Sequence, residues 1–188
     1  MNRWPRRLLL AAAAGLLSAC VHVPRPPHLL LAGAELPLRL SPASLGRELA
    51  LQERMTVTAW GRTQQLDVAL EVDAQAVRLA VLAYGQPVAR LEWDGRELKE
   101  QRAPGWPAAV TAPAVLRDLQ LVHWPVAAIQ PALPWGWTLA MEGGDRVLRL
   151  RQRTVIRVRY PADGQAELHN LFAGYVLRLE AAQVEAAR

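Results

Sequence analysis

From Leu49 the chain alternates apolar and polar residues with a period of two. Leu49, Leu51, Met55, Val57 and Ala59 share one parity, interrupted by Glu53, while Gln52, Arg54, Thr56 and Thr58 share the other. Such alternation marks a strand with one covered face. After Gly61, the run Leu66 to Val72 keeps its acids, Asp67 and Glu71, on one side. Val77 to Ala83 is apolar on nearly both faces, which predicts a strand covered on each side. Beyond Gly85, Ala89, Leu91 and Trp93 oppose Arg90, Glu92 and Asp94. Asp94-Gly95 predicts a two-residue hairpin, because both positions tolerate positive φ. Arg96 to Arg102 is then the returning strand, and the result is an antiparallel meander of about five strands.

The pattern breaks between Pro104 and Pro113. Ala114 to Val122 then places Val115, Leu116, Leu119 and Val122 at helical spacing, with Pro113 suited to the first turn. Pro125 stops or bends that helix, and Val126 to Leu133 reads as a second short one, ending near Pro134. Strands resume at Trp137–Met141, Val147–Gln152, Thr154–Tyr160, Ala166–Leu171 and Tyr175–Ala181, with turns at Gly143-Gly144 and Asp163-Gly164. About ten antiparallel strands exceed what a flat open sheet holds, so the sheet curls. The expected fold is therefore mainly β: a curled antiparallel sheet or incomplete β-barrel. Short central helices serve it as plug or lid.

The first residues follow another logic. Arg3, Arg6 and Arg7 precede an apolar run, Leu8 to Leu17, and Leu17-Ser18-Ala19-Cys20 closes it. This is the layout of an export signal, too short to span a bilayer. The tetrapeptide resembles the lipobox of bacterial lipoproteins, which implies cleavage before Cys20 and acylation of that cysteine. The expected organisation is a signal peptide over 1–19, a lipidated, Pro-rich tether over 20–35, one domain over 36–182 and a tail over 183–188. Pro24, Pro26 and Pro27 keep the tether extended. A non-acidic Val21 after the cysteine points, by resemblance to lipoprotein sorting rules, to the outer membrane with the domain facing the periplasm.

Removing 1–19 leaves 169 residues, enough for one domain with a real core. Three of the 22 basic residues lie before Cys20 and no acid does, so 19 bases face 17 acids and the net charge falls to +2. No basic run is interleaved with aromatics, so nucleic acid is not an expected partner. With Cys20 the only cysteine, no internal disulfide exists and packing alone must hold the core. Trp60, Trp93, Trp106, Trp124, Trp135 and Trp137 supply large apolar area for it.

Motifs that carry chemistry are absent. Ser41 and Ser44, the two serines after Cys20, have no histidine nearby, and a nucleophile needs a base within reach. His123 and His169 read as structural or surface residues, and His22 and His28 as solvated tether residues. There is no phosphate loop and no H-E-x-x-H. No enzyme activity, cofactor or metal is expected, and Asp67, Glu71, Glu92 and Asp94 read as a solvated face.

Several stretches carry a resemblance. They are Gln52 onward into Val57, Leu79-Ala80-Val81-Leu82 with Gly85, Leu91-Glu92-Trp93-Asp94-Gly95, and Asp118-Leu119-Gln120-Leu121 followed by Trp124-Pro125. Thr154 to Tyr160 and Leu168-His169-Asn170-Leu171, leading to Tyr175-Val176-Leu177, complete them. In this order the chain resembles LolB-like bacterial lipoproteins associated with aryl polyene biosynthesis clusters. The resemblance implies a LolA/LolB-like half-open barrel with helices across its mouth, a form that shields acyl chains in the periplasm. Unlike LolB, the chain leaves little room for a long N-terminal helix.

The expected function is that of a lipid-anchored module that holds a hydrophobic ligand, such as an acyl or aryl polyene lipid or a lipoprotein acyl chain, for delivery to the outer membrane. Candidate lining residues are Leu70, Leu79, Leu91, Trp93, Ile156, Val158, Tyr175 and Leu177; the same residues equally suit a closed core. The alternative is a non-catalytic adaptor for a periplasmic protein partner. Trp106, Trp135 and Trp137 are then exposed anchors, or else lid residues folded inward.

Overall fold

The computed structural model describes residues 36–182. The signal peptide, Cys20, the tether with His22 and His28, and the tail lie outside the described residues. Ten strands form one sheet: β1 (Leu49–Ala59), β2 (Arg62–Val72), β3 (Val77–Ala83), β4 (Gln86–Trp93), β5 (Leu98–Arg102), β6 (Trp137–Glu142), β7 (Asp145–Leu150), β8 (Arg153–Arg159), β9 (Gln165–Asn170) and β10 (Tyr175–Ala181). Helices α1 (Ala112–His123) and α2 (Val126–Ile129) separate the two sets of five.

The strand order is β5-β4-β3-β2-β1-β10-β9-β8-β7-β6, antiparallel throughout. Each half is a meander, and β1 pairs with β10 to join them, from Glu53 opposite Ala181 to Ala59 opposite Tyr175. β5 and β6 are the free edges, so the barrel is incomplete. Its curl follows from α1, which packs on both β5 and β9. Those strands stand six spacings apart in the order, roughly 29 Å in a flat sheet. A helix about 10 Å across reaches both only if the sheet wraps around it. Register shifts at Val81/Leu82 and Leu148/Arg149 add local bend.

α1 starts where Thr111 accepts a hydrogen bond from the Ala114 amide (3.4 Å), with Pro113 in the first turn. It ends at Trp124-Pro125. Leu116, Leu119, Leu121 and Val122 are buried with the inward residues of both meanders in one core. The segment before β1 joins it through Leu36, Leu38, Leu40 and Leu45. No helix among the described residues is long and apolar enough to cross a membrane, which says nothing of strands.

Three local expectations need correction. Asp94-Gly95 is not a two-residue turn: β4 ends at Trp93, β5 begins at Leu98, and Trp93 pairs with Leu98. The Asp94 carboxylate instead accepts from the amides of Arg96 and Glu97 (2.8 and 2.7 Å), closing a longer turn. The seventh strand does not run through Gln152, since Arg151 and Gln152 have φ of 47° and 70° and make the tight turn into β8. And β3 is covered on one face only: Val77, Leu79 and Val81 are buried, whereas Arg78 is exposed and Ala80 and Leu82 are half-buried.

Candidate functional site

The concave face of the sheet is where the predicted residues meet. Leu70 and Leu79 come from β2 and β3, Leu91 and Trp93 from β4, and Ile156 and Val158 from β8. All six are buried in the common core, and Tyr175 and Leu177 of β10 are half-buried against it. Alternation directs the residues of β2, β3 and β4 inward, because each shares the parity of its strand's other covered positions; in β8, Val155 is buried along with Ile156 and Val158. In this state α1 and the Leu36–Leu45 segment occupy the face they line.

What fixes α1 there is polar as well as apolar. Arg117 and Asp118 are buried side by side, the Arg117 Nε donating to Asp118 Oδ1 at 2.9 Å. The Tyr175 hydroxyl donates to Asp118 Oδ2 and accepts from Arg117 (2.9 Å) and Asn170 Nδ2 (3.1 Å). Asn170 Oδ1 in turn takes the Ala173 amide (2.8 Å), which sets the β9–β10 turn. Burial pushes the Asp118 carboxyl above its ordinary range, against the pull of Arg117 and the Tyr175 bond. Burial and the Asp118 charge push the Tyr175 phenol up as well.

Further along α1, Gln120 clamps Leu40: its Nε2 donates to the Leu40 carbonyl (2.9 Å) and its Oε1 accepts from the Leu40 amide (3.0 Å). The Trp93 indole donates to that carbonyl too, at 2.7 Å. At the helix end, the Arg146 guanidinium of β7 reaches the carbonyls of Leu121 and Trp124, both at 2.7 Å, and Tyr160 donates to Val122 (2.7 Å). These satisfy carbonyls that a helix terminus leaves open. The Trp124 indole donates to Ser44 Oγ at 3.0 Å.

Three buried polar atoms lack a partner among the described residues: Glu53 Oε2, His123 Nε2 and Arg146 Nε. Glu53, the residue that interrupts the alternation of β1, is 6 % exposed, and burial raises its pKa. His123 is held down to about 4, by burial first and then by Arg47 and Arg146.

Asp118, Gln120 and Asn170 fall in stretches that carry the resemblance, but the spacing of apolar and polar positions gave neither them nor Arg117 a role. The available signal was composition. Between Ala112 and Val122 they leave α1 only three polar side chains, Arg117, Asp118 and Gln120, too few for a solvated face. The tryptophans divide: Trp137 is buried, Trp106 is half-buried with its indole on the Val110 carbonyl (3.0 Å), and Trp135 is 87 % exposed.

The convex side carries a shallow groove of about 430 Å³ over β2–β5, lined by Glu71, Arg78, Arg90, Glu92 and Lys99 and bordered by Leu79 and Leu91. Opposite charges face each other across these strands, Glu71 beside Arg78, Arg78 beside Glu92 and Glu92 beside Lys99. Asp67 and Asp94 are exposed like Glu71 and Glu92, and His169 pairs with Glu167 on the surface of β9. No group of His, Cys, Asp and Glu able to hold a metal ion occurs among the described residues.

No curated protein matches this chain. Residues 50–183 match the family described as "Protein of unknown function (DUF3261)", a span that takes in both helices and all ten strands but for the first residue of β1, and the chain belongs to that family.

Proposed function

We propose that the chain is a lipoprotein, acylated at Cys20 and held at the periplasmic face of the outer membrane. It binds a hydrophobic ligand (an acyl or aryl polyene lipid, or a lipoprotein acyl chain) between α1 and the sheet and delivers it to that membrane. One observation carries the reading. Helix α1, with the Leu36–Leu45 segment beside it, covers the apolar concave face of a sheet that does not close on itself, and buried polar contacts to β10, β7 and Leu40 hold the helix in place. A helix so latched is a removable plug. An acyl chain entering beneath it replaces the contacts of Leu116 and Leu119, each methylene contributing about 0.8 kcal/mol. The LolB-like resemblance and the lipobox agree with this assignment.

The test uses the chain from residue 20 with Cys20→Ser, titrated with a fluorescent fatty acid. Saturable one-to-one binding is expected, tightened by Tyr175→Phe, which loosens the latch. A lack of saturable binding in both proteins ends the carrier reading. In cells, Cys20→Ser releases the domain into the soluble fraction once membranes are washed with high salt, a wash that leaves the acylated protein in place. The adaptor alternative rests on Trp135, and a partner that co-purifies and is lost with Trp135→Ala favours it.

A further inference from the structure

The two ends of the half-barrel differ in chemistry. At one end the strand connections are Trp60-Gly61, Tyr84-Gly85, Arg151-Gln152 and Leu171 to Gly174, with Trp135 just before β6. Trp60 is 74 % exposed, Leu171 58 %, and Tyr84 is fully exposed. The Arg151 guanidinium lies 5.7 Å from the centre of the Trp135 ring. None of these connections contains an acid. At the other end the connections carry Asp73, Asp94, Glu97 and Asp163.

Trp60 and Tyr84 are unexpected on two counts. They bury little, and they hold positive φ, 50° and 52°, at the first position of tight turns where Asn, Asp or Gly is favoured. Neither packing nor backbone preference accounts for an aromatic ring there, and such outliers gather at functional positions.

The tips also stand level. From the β3–β4 turn to the β7–β8 turn the register steps by about one residue per strand, the stagger of strands tilted roughly 40° to a barrel axis. Neighbouring tips are two strands, about 10 Å, apart. A comb of separate rings makes no continuous patch for a folded protein. It suits a fluid surface that closes around each ring, and Trp and Tyr favour the level of lipid headgroups.

We propose that this end, through Trp60, Tyr84, Trp135 and Leu171 with Arg62 and Arg151 beside them, docks on a phospholipid bilayer bearing anionic headgroups. The acidic end then points away. Chain length permits it. Leu40 sits on Trp93, at the end of β4 remote from Tyr84. Sixteen residue steps lead from Cys20 to Leu36, a reach of about 55 Å at full extension, whereas β1 with its 11 residues spans only about 36 Å. That last step rests on acylation at Cys20; the docking surface itself does not.

The test removes the anchor. The chain from residue 20 with Cys20→Ser is mixed with vesicles of phosphatidylethanolamine and phosphatidylglycerol, and flotation and tryptophan emission are read. Binding with a blue shift is expected. It weakens about tenfold or more in Trp60→Asn/Tyr84→Asn and persists in Met141→Gln at the opposite end. Asn suits both turns, so the double variant keeps its fold, and its fatty-acid titration stays that of the parent. An unlipidated parent that ignores these vesicles overturns the proposal. So do equal binding by the double variant, equal loss with Met141→Gln, and self-association through the tips in place of vesicle binding. Vesicle binding without fatty-acid uptake keeps the docking surface and removes the carrier.

Discussion

The Tyr175 hydroxyl donates to the Asp118 carboxylate across the boundary between sheet and helix, 57 residues apart in sequence. Tyr175 closes the joint between the two meanders, opposite Ala59, and Asp118 belongs to the helix they wrap. One bond therefore ties the plug to the seam of the sheet. Tyr175→Phe leaves Asp118 and Asn170 short of a partner inside the protein. We expect a loss of about 1–3 kcal/mol in denaturant unfolding. Asp118→Ala costs more, about 3–5 kcal/mol, since it removes the carboxylate of a buried ion pair and the acceptor of the Tyr175 hydroxyl.

Glu53 gives the opposite sign. Its pKa in the folded protein lies above the ordinary 4.5, through burial. As pH rises past 4.5 the unfolded chain ionises first, so folding loses stability until the folded carboxyl also ionises. Glu53→Gln is therefore expected to stabilise the fold at neutral pH by on the order of 1 kcal/mol, read as a higher melting temperature. Below the ordinary carboxylate range the gain should vanish, which melting curves at both pH values check.

His123 makes the fold acid-sensitive. Its folded pKa of about 4 lies below the ordinary 6.5. Above 6.5 the ring is neutral in both states. As pH falls from 6.5 toward 4 the unfolded state takes up a proton that the folded state refuses, and stability declines, by up to about 3 kcal/mol. His123→Gln should flatten that part of the stability–pH curve.

Trp124 is fully buried where α1 ends and bonds Ser44. Trp124→Ala opens a cavity between the helix, Leu45 and the sheet, at a cost of about 3–5 kcal/mol. Ser44→Ala removes the nearer acceptor of the indole and a hydroxyl donor to the Ser41 carbonyl, leaves no cavity of that size, and should cost about 1 kcal/mol. Denaturant midpoints separate the two.

The strands were legible because a half-covered sheet imposes its period on the residues, as in Leu49 to Ala59 and Ile156 to Tyr160. Helix α1 was legible within two residues of each end, because Pro113 and Pro125 bracket it. The Arg151-Gln152 turn was hidden, since neither residue type signals positive φ. The latch was hidden for another reason: Arg117 and Asp118 meet Tyr175 only in the folded domain, and no local pattern records a contact between residues 57 apart. Glu53 was visible as an exception to its strand, though its burial without a partner was not.

The pairing of β1 with β10 has a consequence for how the molecule comes into being. The last strand made is not an outer one; it lies in the middle, between β1 and β9. Until residue 181 has emerged from the ribosome, two unfinished ribbons stand with no bridge, and Glu53, Met55 and Val57 have no neighbour on one flank. Premature termination anywhere before Tyr175 yields no smaller version of the domain, only unjoined ribbon open to proteases.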